Sequence, residues 1–230
     1  MEFKRARNEE QRTERRRQIL ATAAAMLTET PVAKLSLNEL SRRIGLAKSN
    51  VLRYFESREA VLLELLDSEF QEWTAELEST APADDGTPRE RGDRLAQLLA
   101  ASLAGRPVLC DLLSAQAAVL EHNISTEVAI RHKHAARQNM RTLTELVRRH
   151  LPELDAEGAS ALVETALLMA MAAWPCSRPA EALRAAYASD PALAAMRMDF
   201  TEVVRRTLEA TASGLLVRRG SRVDLAMPPP

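Results

Sequence analysis

Aromatic residues and glycines are scarce in this chain. Phe, Trp and Tyr together make up 3% of its 230 residues, and glycine occurs seven times. Strands favour β-branched and aromatic residues in an alternating pattern, and no sustained alternation of apolar and polar residues occurs here. The hydrophobic residues, 46% of the chain, are rich in alanine and leucine and indicate a helical protein. The length is enough for one large domain or two small ones with a sizeable core.

Cysteine is equally scarce. Cys110 and Cys176 stand alone, without the Cys-x-x-Cys spacing of a metal or redox site. We interpret both as reduced structural thiols, because a redox sensor needs an exposed thiol of low pKa. The start of the chain is charged, and no unbroken run reaches the ~18 apolar residues of a membrane span. We therefore expect a cytoplasmic protein that does not enter a membrane.

Recognisable catalytic motifs are also missing. The sequence has no phosphate-binding glycine loop and no Gly-x-Ser-x-Gly elbow. His122, His132 and His134 could be considered as metal ligands, but His132 and His134 are two positions apart and do not share a helical face. Surface or hydrogen-bonded histidines are the preferred interpretation. We expect no enzyme activity, no cofactor and no metal.

The charged residues are unevenly distributed along the chain. Residues 1–60 contain 13 Lys and Arg against 8 Asp and Glu, a net charge of +5. The remaining residues contain 18 basic and 24 acidic side chains, a net charge of −6. A basic first part on an acidic second part suits DNA binding by one end of the molecule. Chance clustering of charge is the alternative.

A capping signature opens the most informative stretch, residues 35–58. The Ser36 hydroxyl is placed to accept from the amide of Glu39, and the Glu39 carboxylate to accept from the amide of Ser36. After this cap, Leu37, Leu40 and Ile44 fall on one face of a helix. The spacing predicts a short helix that packs through its leucines.

A sharp turn and a second short helix follow. Gly45 stands where the chain must turn with positive φ. Val51 and Phe55 then recur at helical spacing and are predicted to face inward. Four polar residues are left on the outer face, where they can donate hydrogen bonds: Lys48, Ser49, Asn50 and Arg53. The pattern is that of a helix-turn-helix whose second helix enters the DNA major groove.

Residues 10–66 resemble the DNA-binding domain of the tetracycline-repressor (TetR) family of bacterial transcriptional regulators. The residues that match the family's spacings are Gly45, Lys48, Arg53, Tyr54, Phe55 and the run 57–62. The resemblance implies an all-α fold with an N-terminal three-helix helix-turn-helix DNA-binding domain and a C-terminal helical ligand-binding and dimerisation domain. The domains are placed at residues 9–60 and 61–218, with a disordered tail at residues 219–230.

Three positions depart from the family's pattern. Ala47 replaces the common serine that caps the recognition helix, so that cap is expected to be missing. Leu52 replaces a tyrosine that contacts a DNA phosphate, and this contact is expected to be absent or to move to Tyr54. Arg58 keeps the charge of the usual lysine. Our DNA-binding candidates are Lys48, Ser49, Asn50 and Arg53 for base edges, and Ser36, Arg43, Tyr54 and Arg58 for phosphates.

The first helix is predicted from Glu9 to Glu29, with Asn8 as its cap and Pro31 ending it. Its apolar stripe contains Ile19, Ala23, Met26 and Leu27. Its first half carries Arg12, Arg15, Arg16 and Arg17. These arginines form a solvated basic face, a set of phosphate contacts, or both, because a phosphate contact needs only proximity and charge.

The second part of the chain is predicted to be helical throughout. A fourth helix is capped by Ser57, and a loop at residues 81–92 follows it. Further helices are predicted at residues 93–104, 107–120 and 126–150. An eighth helix is predicted to begin at Ala156 and to end between Trp174 and Pro179. A ninth helix is then opened by Pro179, and a last one runs from Asp190 or Asp199 to about Val217. Trp73 in the fourth helix is expected to be core rather than a ligand contact.

Residues 161–173 are apolar almost all round, which requires cover on two sides. Together with the resemblance, this predicts a homodimer through the last two long helices on a palindromic double-stranded operator. The resemblance also implies an unknown small-molecule effector, expected to be apolar or weakly polar. The candidate lining residues are Leu109, Cys110, Leu113, Gln116, Met169 and Trp174. The alternative is a ligand-binding or enzymatic helical bundle whose basic first part is incidental.

Overall fold

The computed structural model describes the backbone of residues 2–80 and 85–226, and the side chains of residues 9–80 and 85–218. Over that backbone the protein is all-α and contains no strand, which confirms the predicted fold class. Eleven α-helices are described: α1 Glu2–Glu29, α2 Leu37–Ile44, α3 Lys48–Val51, α4 Arg58–Ser79, α5 Pro88–Ala104, α6 Pro107–Ala115, α7 Thr126–His150, α8 Ala156–Ser177, α9 Glu181–Ser189, α10 Pro191–Ala194 and α11 Phe200–Ala226. A short 3-10 turn, Val32–Lys34, follows α1, and a π-helical turn, Gln116–Leu120, continues α6.

Helices α1 to α3 form a small head at one end of the molecule. Helix α1 packs against both α2 and α4. The predicted stripe of α1 is buried, and so are Leu40 of α2, Val51 of α3 and Phe55 after α3. The apolar spacing of this part of the sequence therefore predicted its core.

Helices α4 to α11 form the body. Helix α11 packs on α5 and α8, α6 packs on α8, and α7 lies between α8 and α4. Trp73 is fully buried in α4, as expected, with its ring edge-on to Phe70 at a centroid distance of 5.2 Å. Its Nε1 donates to Ser102 Oγ of α5 at 3.0 Å. Helix α4 contacts α1 in the head and α7 in the body, so it connects the two parts.

Predicted caps set several helix starts. Ser57, Ser125 and Asp155 each accept a hydrogen bond from the backbone amide three residues ahead. Such a bond satisfies one of the unpaired amides in the first turn of a helix. Asp190 likewise accepts from the amide of Ala192 at the start of α10. The predicted turn after residue 120 contains Asn123, whose φ of 55° is left-handed.

Two helix starts in the first half of the chain were predicted wrongly. Helix α1 begins at Glu2, so Asn8 lies inside the helix and is not its cap. Helix α5 begins at Pro88 rather than Asp93, because Thr87 and Glu90 form a complete capping box with Pro88 in the first turn. The Pro, Gly and Asp content of residues 81–92 concealed this signature. Residues 81–84 of the predicted loop lie outside the described residues.

Two boundaries at the C-terminal end also differ from the prediction, whereas the end of α8 agrees with it. Helix α8 continues through Pro175 to Ser177, inside the predicted range Trp174 to Pro179, since a proline in the last turn removes one hydrogen bond without ending the helix before it. Helix α9 begins at Glu181 after Ala180, not at Pro179. Helix α11 extends to Ala226 rather than Val217, so residues 219–226 of the predicted tail are helical. Residues 227–230 lie outside the described residues.

Residues 178–199, which we call the arm, connect α8 to α11 through α9 and α10. No residue of the arm is buried. Its large apolar side chains Leu183, Met196 and Met198 are exposed. The arm therefore adds little to the core and covers the surface near the end of α8.

Candidate nucleic-acid interface

The turn between α2 and α3 has the geometry of a helix-turn-helix. Ser36 Oγ accepts from the amide of Glu39 at 3.2 Å, as predicted. The Glu39 carboxylate, expected to accept from the Ser36 amide, accepts instead from Arg42 at 2.6 Å, and this bond lowers the pKa of Glu39. Gly45 ends α2 with φ of 72°, the left-handed conformation that glycine adopts without strain. Ser41 is buried and donates to the Leu37 carbonyl at 2.7 Å.

The recognition helix α3 presents a polar outer surface. All four predicted base-reading residues are exposed: Lys48, Ser49, Asn50 and Arg53. Val51, in the same turn, is fully buried and fixes which face of α3 points outward. Ala47 precedes the helix without a side-chain cap, as the departure from the family pattern predicted. The structure thus places the four side chains together on one surface.

Leu52 is exposed beside this polar surface. It is 42% exposed, although apolar side chains of this size are usually buried. Tyr54, the expected replacement for the phosphate-binding tyrosine, is half-buried and lines a groove with Arg12, Arg15 and Arg53. The groove runs between the first half of α1 and the end of the recognition segment.

Two arginines of the head are engaged in holding it together. Arg16 donates to the Tyr54 carbonyl and to the Glu64 carboxylate, and its guanidinium lies 4.3 Å from the centre of the Phe55 ring. Arg58 donates to the Val32 carbonyl and pairs with Glu59 at 3.2 Å. Both guanidinium groups therefore stabilise the head from within.

The other arginines at this end of the molecule are more accessible. Arg43, a phosphate candidate, pairs with Glu29 at 2.6 Å and with Glu39 at 3.4 Å, and its bond lowers the pKa of Glu29. Arg15 donates to Gln18, and Arg17 pairs with Glu14 at 2.8 Å. These pairs lie on the surface, where ion pairs contribute little and rearrange easily. Both interpretations of the basic face of α1 are thus compatible with the structure for Arg15 and Arg17.

The six candidate effector-lining residues are distributed over α6, the π-helical turn and α8. Leu109, Cys110 and Leu113 are buried in the core side of α6, and Met169 of α8 is half-buried. Burial raises the pKa of the Cys110 thiol to about 12, and its Sγ donates to the Leu103 carbonyl at 3.3 Å. This thiol is a structural one, as predicted, whereas Cys176 is exposed.

The last two candidates contact different neighbours. Gln116 in the π-helical turn bonds to His132 of α7. Trp174 donates through Nε1 to Asp111 at 2.5 Å and lines a cavity near the end of α1.

Two polar contacts between distant segments were not predicted. Glu56, in the loop after α3, accepts from the backbone amide of Ser125 at the start of α7, at 2.6 Å. His132 Nδ1 lies 2.9 Å from Asp67 Oδ1, and its Nε2 lies 3.1 Å from Gln116 Nε2. His132 is buried, so it is the hydrogen-bonded histidine that we preferred over a metal ligand. Among the described residues no three His, Cys, Asp or Glu side chains are grouped as metal ligands.

The side chain of Gln116 links this histidine to a second carboxylate. Its Nε2, which lies 3.1 Å from His132 Nε2, donates to Glu121 at 2.9 Å. The contact between His132 and Asp67 joins α7 to α4, the helix that reaches the head. This contact lies within the body, whereas the Glu56 contact joins the head to α7.

Comparison with known proteins agrees with this geometry. Residues 19–65 match the family model described as bacterial regulatory proteins, tetR family, and residues 67–219 match the model of the tetracyclin repressor-like C-terminal domain. The HTH-type transcriptional regulator EthR of Mycobacterium tuberculosis is 38% identical over 72 residues. That match covers 31% of this chain and 33% of EthR, so the chain spans a third of the length of this relative.

Solved structures share the fold at low sequence identity. A TetR-family transcriptional regulator from Streptomyces coelicolor superposes with a TM-score of 0.59 and 13% identity, over 91% of this chain and 83% of the other. The transcriptional regulator FadR from Bacillus subtilis, in complex with stearoyl-CoA, gives a TM-score of 0.55 and 14% identity, over 86% and 97% of the two chains. The two family models together cover most of the sequence, and the helix-turn-helix lies inside the first of them. The chain therefore belongs to the TetR family of bacterial transcriptional regulators.

Proposed function

We propose that the protein is a ligand-responsive repressor that acts in the cytoplasm as a homodimer on a palindromic operator. The observation that carries this proposal is the exposed row of Lys48, Ser49, Asn50 and Arg53 on the recognition segment of a TetR-type head. Side chains of these types, placed together on a short exposed helix, are suited to the major groove.

Three of these side chains have preferred base partners on DNA. Asn50 can bond bidentately to adenine, and Arg53 or Lys48 to guanine. Leu52, exposed next to them, can pack against a thymine methyl group. Ser36, Arg43 and Tyr54 remain our phosphate contacts at the edge of the groove. We assign Arg58 a structural role instead, because its guanidinium is already bonded to the Val32 carbonyl.

The surface of α8 supports a dimer. Over its most apolar 18 residues the helix has a mean hydropathy of 1.4, and only 39% of that window is buried. By length and composition alone α8 could cross a membrane. A second copy of the chain provides the same apolar cover, and Leu168 of α8 and Val217 of α11, 63% and 69% exposed, lie on the two helices proposed to form the interface. Two-fold symmetry then sets the recognition helices about 34 Å apart, one turn of DNA.

An effector would act by favouring a different spacing of the two heads. A ligand shifts such an equilibrium only through its different affinities for the two states. The effector is proposed to bind in the body near the six candidate residues, of which Trp174 lines a described cavity. Because FadR of Bacillus subtilis was solved with stearoyl-CoA, an acyl-CoA is one candidate to test.

Fluorescence anisotropy with DNA tests the proposal directly. The duplex would be the region upstream of the protein's own gene, compared with a scrambled duplex of equal length across a series of salt concentrations. Each phosphate contact contributes about −0.9 to the slope of log affinity against log salt, so the slope counts contacts. We expect tight, sequence-selective binding with a steep slope.

Equal and weak binding to both duplexes would require a selection from genomic fragments. If no fragment is enriched in that selection, the head does not read sequence and the repressor proposal is wrong. If a fragment is enriched, the operator lies elsewhere and the proposal is supported.

A further inference from the structure

A cavity of about 700 Å³ lies where the end of α1 meets the body and the arm. Its first wall is formed by residues 27–31 of the head. Its second wall contains Asp111 of α6 and Trp174 of α8, and its third contains Arg184 and Arg197 of the arm. A molecule in this cavity would contact all three parts of the protein at once.

The apolar part of the cavity is made of flat, rigid groups. Trp174 is held by its bond to Asp111 and by an edge-on contact with Phe200 at a centroid distance of 5.0 Å. The other ring-shaped side chains are those of four prolines: Pro31, Pro107, Pro175 and Pro179. A rigid apolar surface of this kind favours a planar apolar group, because little side-chain entropy is lost on binding.

Three arginines surround this apolar surface. Arg178 stacks over the Trp174 ring with its guanidinium carbon 4.7 Å from the ring centre, and Arg184 and Arg197 also line the cavity. Among the described residues none of the three guanidinium groups has a carboxylate partner. The two carboxylates of the cavity each have a hydrogen-bond partner of their own. Glu29 pairs with Arg43 at 2.6 Å, and Asp111 accepts from Trp174.

We propose that this cavity binds an amphipathic anion: a planar apolar body that carries one carboxylate, sulfonate or phosphate group. The body would lie against Trp174 and the prolines. The anionic group would accept from the guanidinium donors of Arg178 and of the arm, which match such groups in geometry. This proposal restricts the chemical class of the effector that the sequence predicts, because an uncharged apolar ligand would not pair with the three guanidinium groups.

The position of the cavity links binding to the head. Glu29 lines the cavity and is paired with Arg43 of α2, the helix that precedes the recognition helix. A ligand bound between residues 27–31 and Trp174 would displace the end of α1 and disturb the ion pair between Glu29 and Arg43. The expected consequence, a change in DNA affinity, rests on the proposed function, whereas binding itself does not.

Isothermal titration calorimetry of the full chain tests the site. The probes are naphthoate, a planar anion, and naphthamide, its neutral analogue of the same shape. We expect naphthoate to bind about tenfold more tightly than naphthamide, which corresponds to one charge-assisted contact. Arg178→Gln and the double variant Arg184→Gln/Arg197→Gln should each weaken naphthoate binding by about tenfold and leave naphthamide binding unchanged.

Arg137→Gln is the matched control, because Arg137 is an exposed arginine of α7 that does not line this cavity. It should not alter the binding of either probe. Equal affinity for the two probes, no binding of naphthoate, or an unchanged affinity in Arg178→Gln would each overturn the site.

Operator binding with and without saturating naphthoate tests the link to the head. A fall in operator affinity that is lost in Arg178→Gln supports the link, and an unchanged affinity overturns it. Failure of the proposed function would look different. The protein would then show no sequence-selective DNA binding even without naphthoate, while calorimetry would still decide whether the cavity binds anions.

Discussion

Glu56 of the head caps the first turn of α7 in the body. Its Oε1 accepts from the backbone amide of Ser125 at 2.6 Å, and Ser125 is itself the cap residue of α7. A carboxylate at this position also interacts favourably with the positive end of the helix dipole. The hydrogen bond to the amide, aided by the hydroxyl of Ser125 and the charge of Arg131, lowers the pKa of Glu56 below its ordinary value of 4.5. The orientation of the head is thus tied to a long helix of the body.

We predict that Glu56→Gln weakens the hydrogen bond to the Ser125 amide and lowers the stability of the fold in a pH-dependent way. Because the pKa of Glu56 is lower in the folded protein, its carboxylate stabilises the fold above about pH 4.5, where the unfolded chain is also ionised. That contribution is lost as the pH falls through the lower folded pKa. Urea unfolding should therefore show the variant less stable than the natural protein near neutral pH, with the difference shrinking toward acid pH.

Glu145→Gln is the control for this experiment, since Glu145 is an exposed glutamate on α7 away from its first turn. It should leave the pH dependence of stability unaltered. If Glu56→Gln gave the same pH profile as Glu145→Gln, the contact between Glu56 and Ser125 would not form in solution.

Asp67 of α4 and His132 of α7 form a second polar contact to α7, this one within the body. Burial raises the pKa of Asp67 above its ordinary value of 3.8, with the bond to His132 opposing that shift. Asp67→Asn keeps a polar group within hydrogen-bond distance of His132 Nδ1, whereas Asp67→Ala leaves this buried nitrogen unpaired. We expect Asp67→Ala to cost about 1–3 kcal/mol in urea unfolding, and Asp67→Asn much less.

The pH dependence of the same variants checks the direction of the Asp67 shift. A raised folded pKa means that the contribution of Asp67 is fully present below about pH 3.8 and is lost as the pH rises through the folded value. The stability of the natural protein relative to Asp67→Asn should therefore decline as the pH rises through this window. A rise instead would show that the attraction of His132 outweighs burial.

The dimer proposal predicts the effect of a charge on α8. Leu168→Glu places a carboxylate at the middle of the proposed interface, where burial of an unpaired charge is unfavourable. Sedimentation or light scattering should show a monomer, and operator affinity should fall with it. Ile130→Glu is the matched control, because Ile130 is also exposed, at 53%, but lies on α7. A dimeric Leu168→Glu variant would place the interface elsewhere.

The two thiols should differ in reactivity. Cys110 is buried and its pKa is raised to about 12, so it holds almost no thiolate at neutral or mildly alkaline pH. In a Cys176→Ser variant, we expect Ellman's reagent to detect no reactive thiol until the protein is unfolded, and then one per chain. Rapid reaction in the folded variant would show that α6 opens and would restore Cys110 as a redox candidate.

Local signals in the sequence predicted much of the fold. Ser57, Ser125 and Asp155 each accept a hydrogen bond from the amide three residues ahead, so a short stretch of sequence is enough to predict their capping role. Thr87 and Glu90 carry the same kind of signal. Our interpretation of their surroundings as a loop gave the composition more weight than the capping box, and the start of α5 was wrong for that reason.

Contacts between distant segments could not be predicted from local capping signals. Glu56 and Ser125 are 69 positions apart, and Asp67 and His132 are 65 apart. Which glutamate meets which helix end depends on how α4 and α7 pack, and the apolar spacing of each helix does not determine this. For the same reason the exposed face of α3 was predictable from Val51 and its neighbours. The hydrogen bond from Arg58 to the Val32 carbonyl, 26 positions away, was not.

The assignment of base-reading residues can be tested by truncation. Asn50→Ala and Arg53→Ala each remove a side chain from the exposed row without touching the buried face that holds α3 in place. Each good bidentate contact discriminates against a wrong base by about 1–3 kcal/mol, so each variant should lose preference at one operator position. Anisotropy competition with operators changed at single base pairs measures this loss.

Arg137→Ala, which removes an exposed arginine from the body, is the control for charge. It should leave both the preference and the salt dependence unaltered. A phosphate contact would behave differently from a base contact, because its loss weakens binding to every sequence alike and reduces the salt slope by about one. If both Asn50→Ala and Arg53→Ala left operator preference intact, direct readout by these residues would be wrong, and the specificity would have to come from the remaining side chains of α3 or from the shape of the DNA.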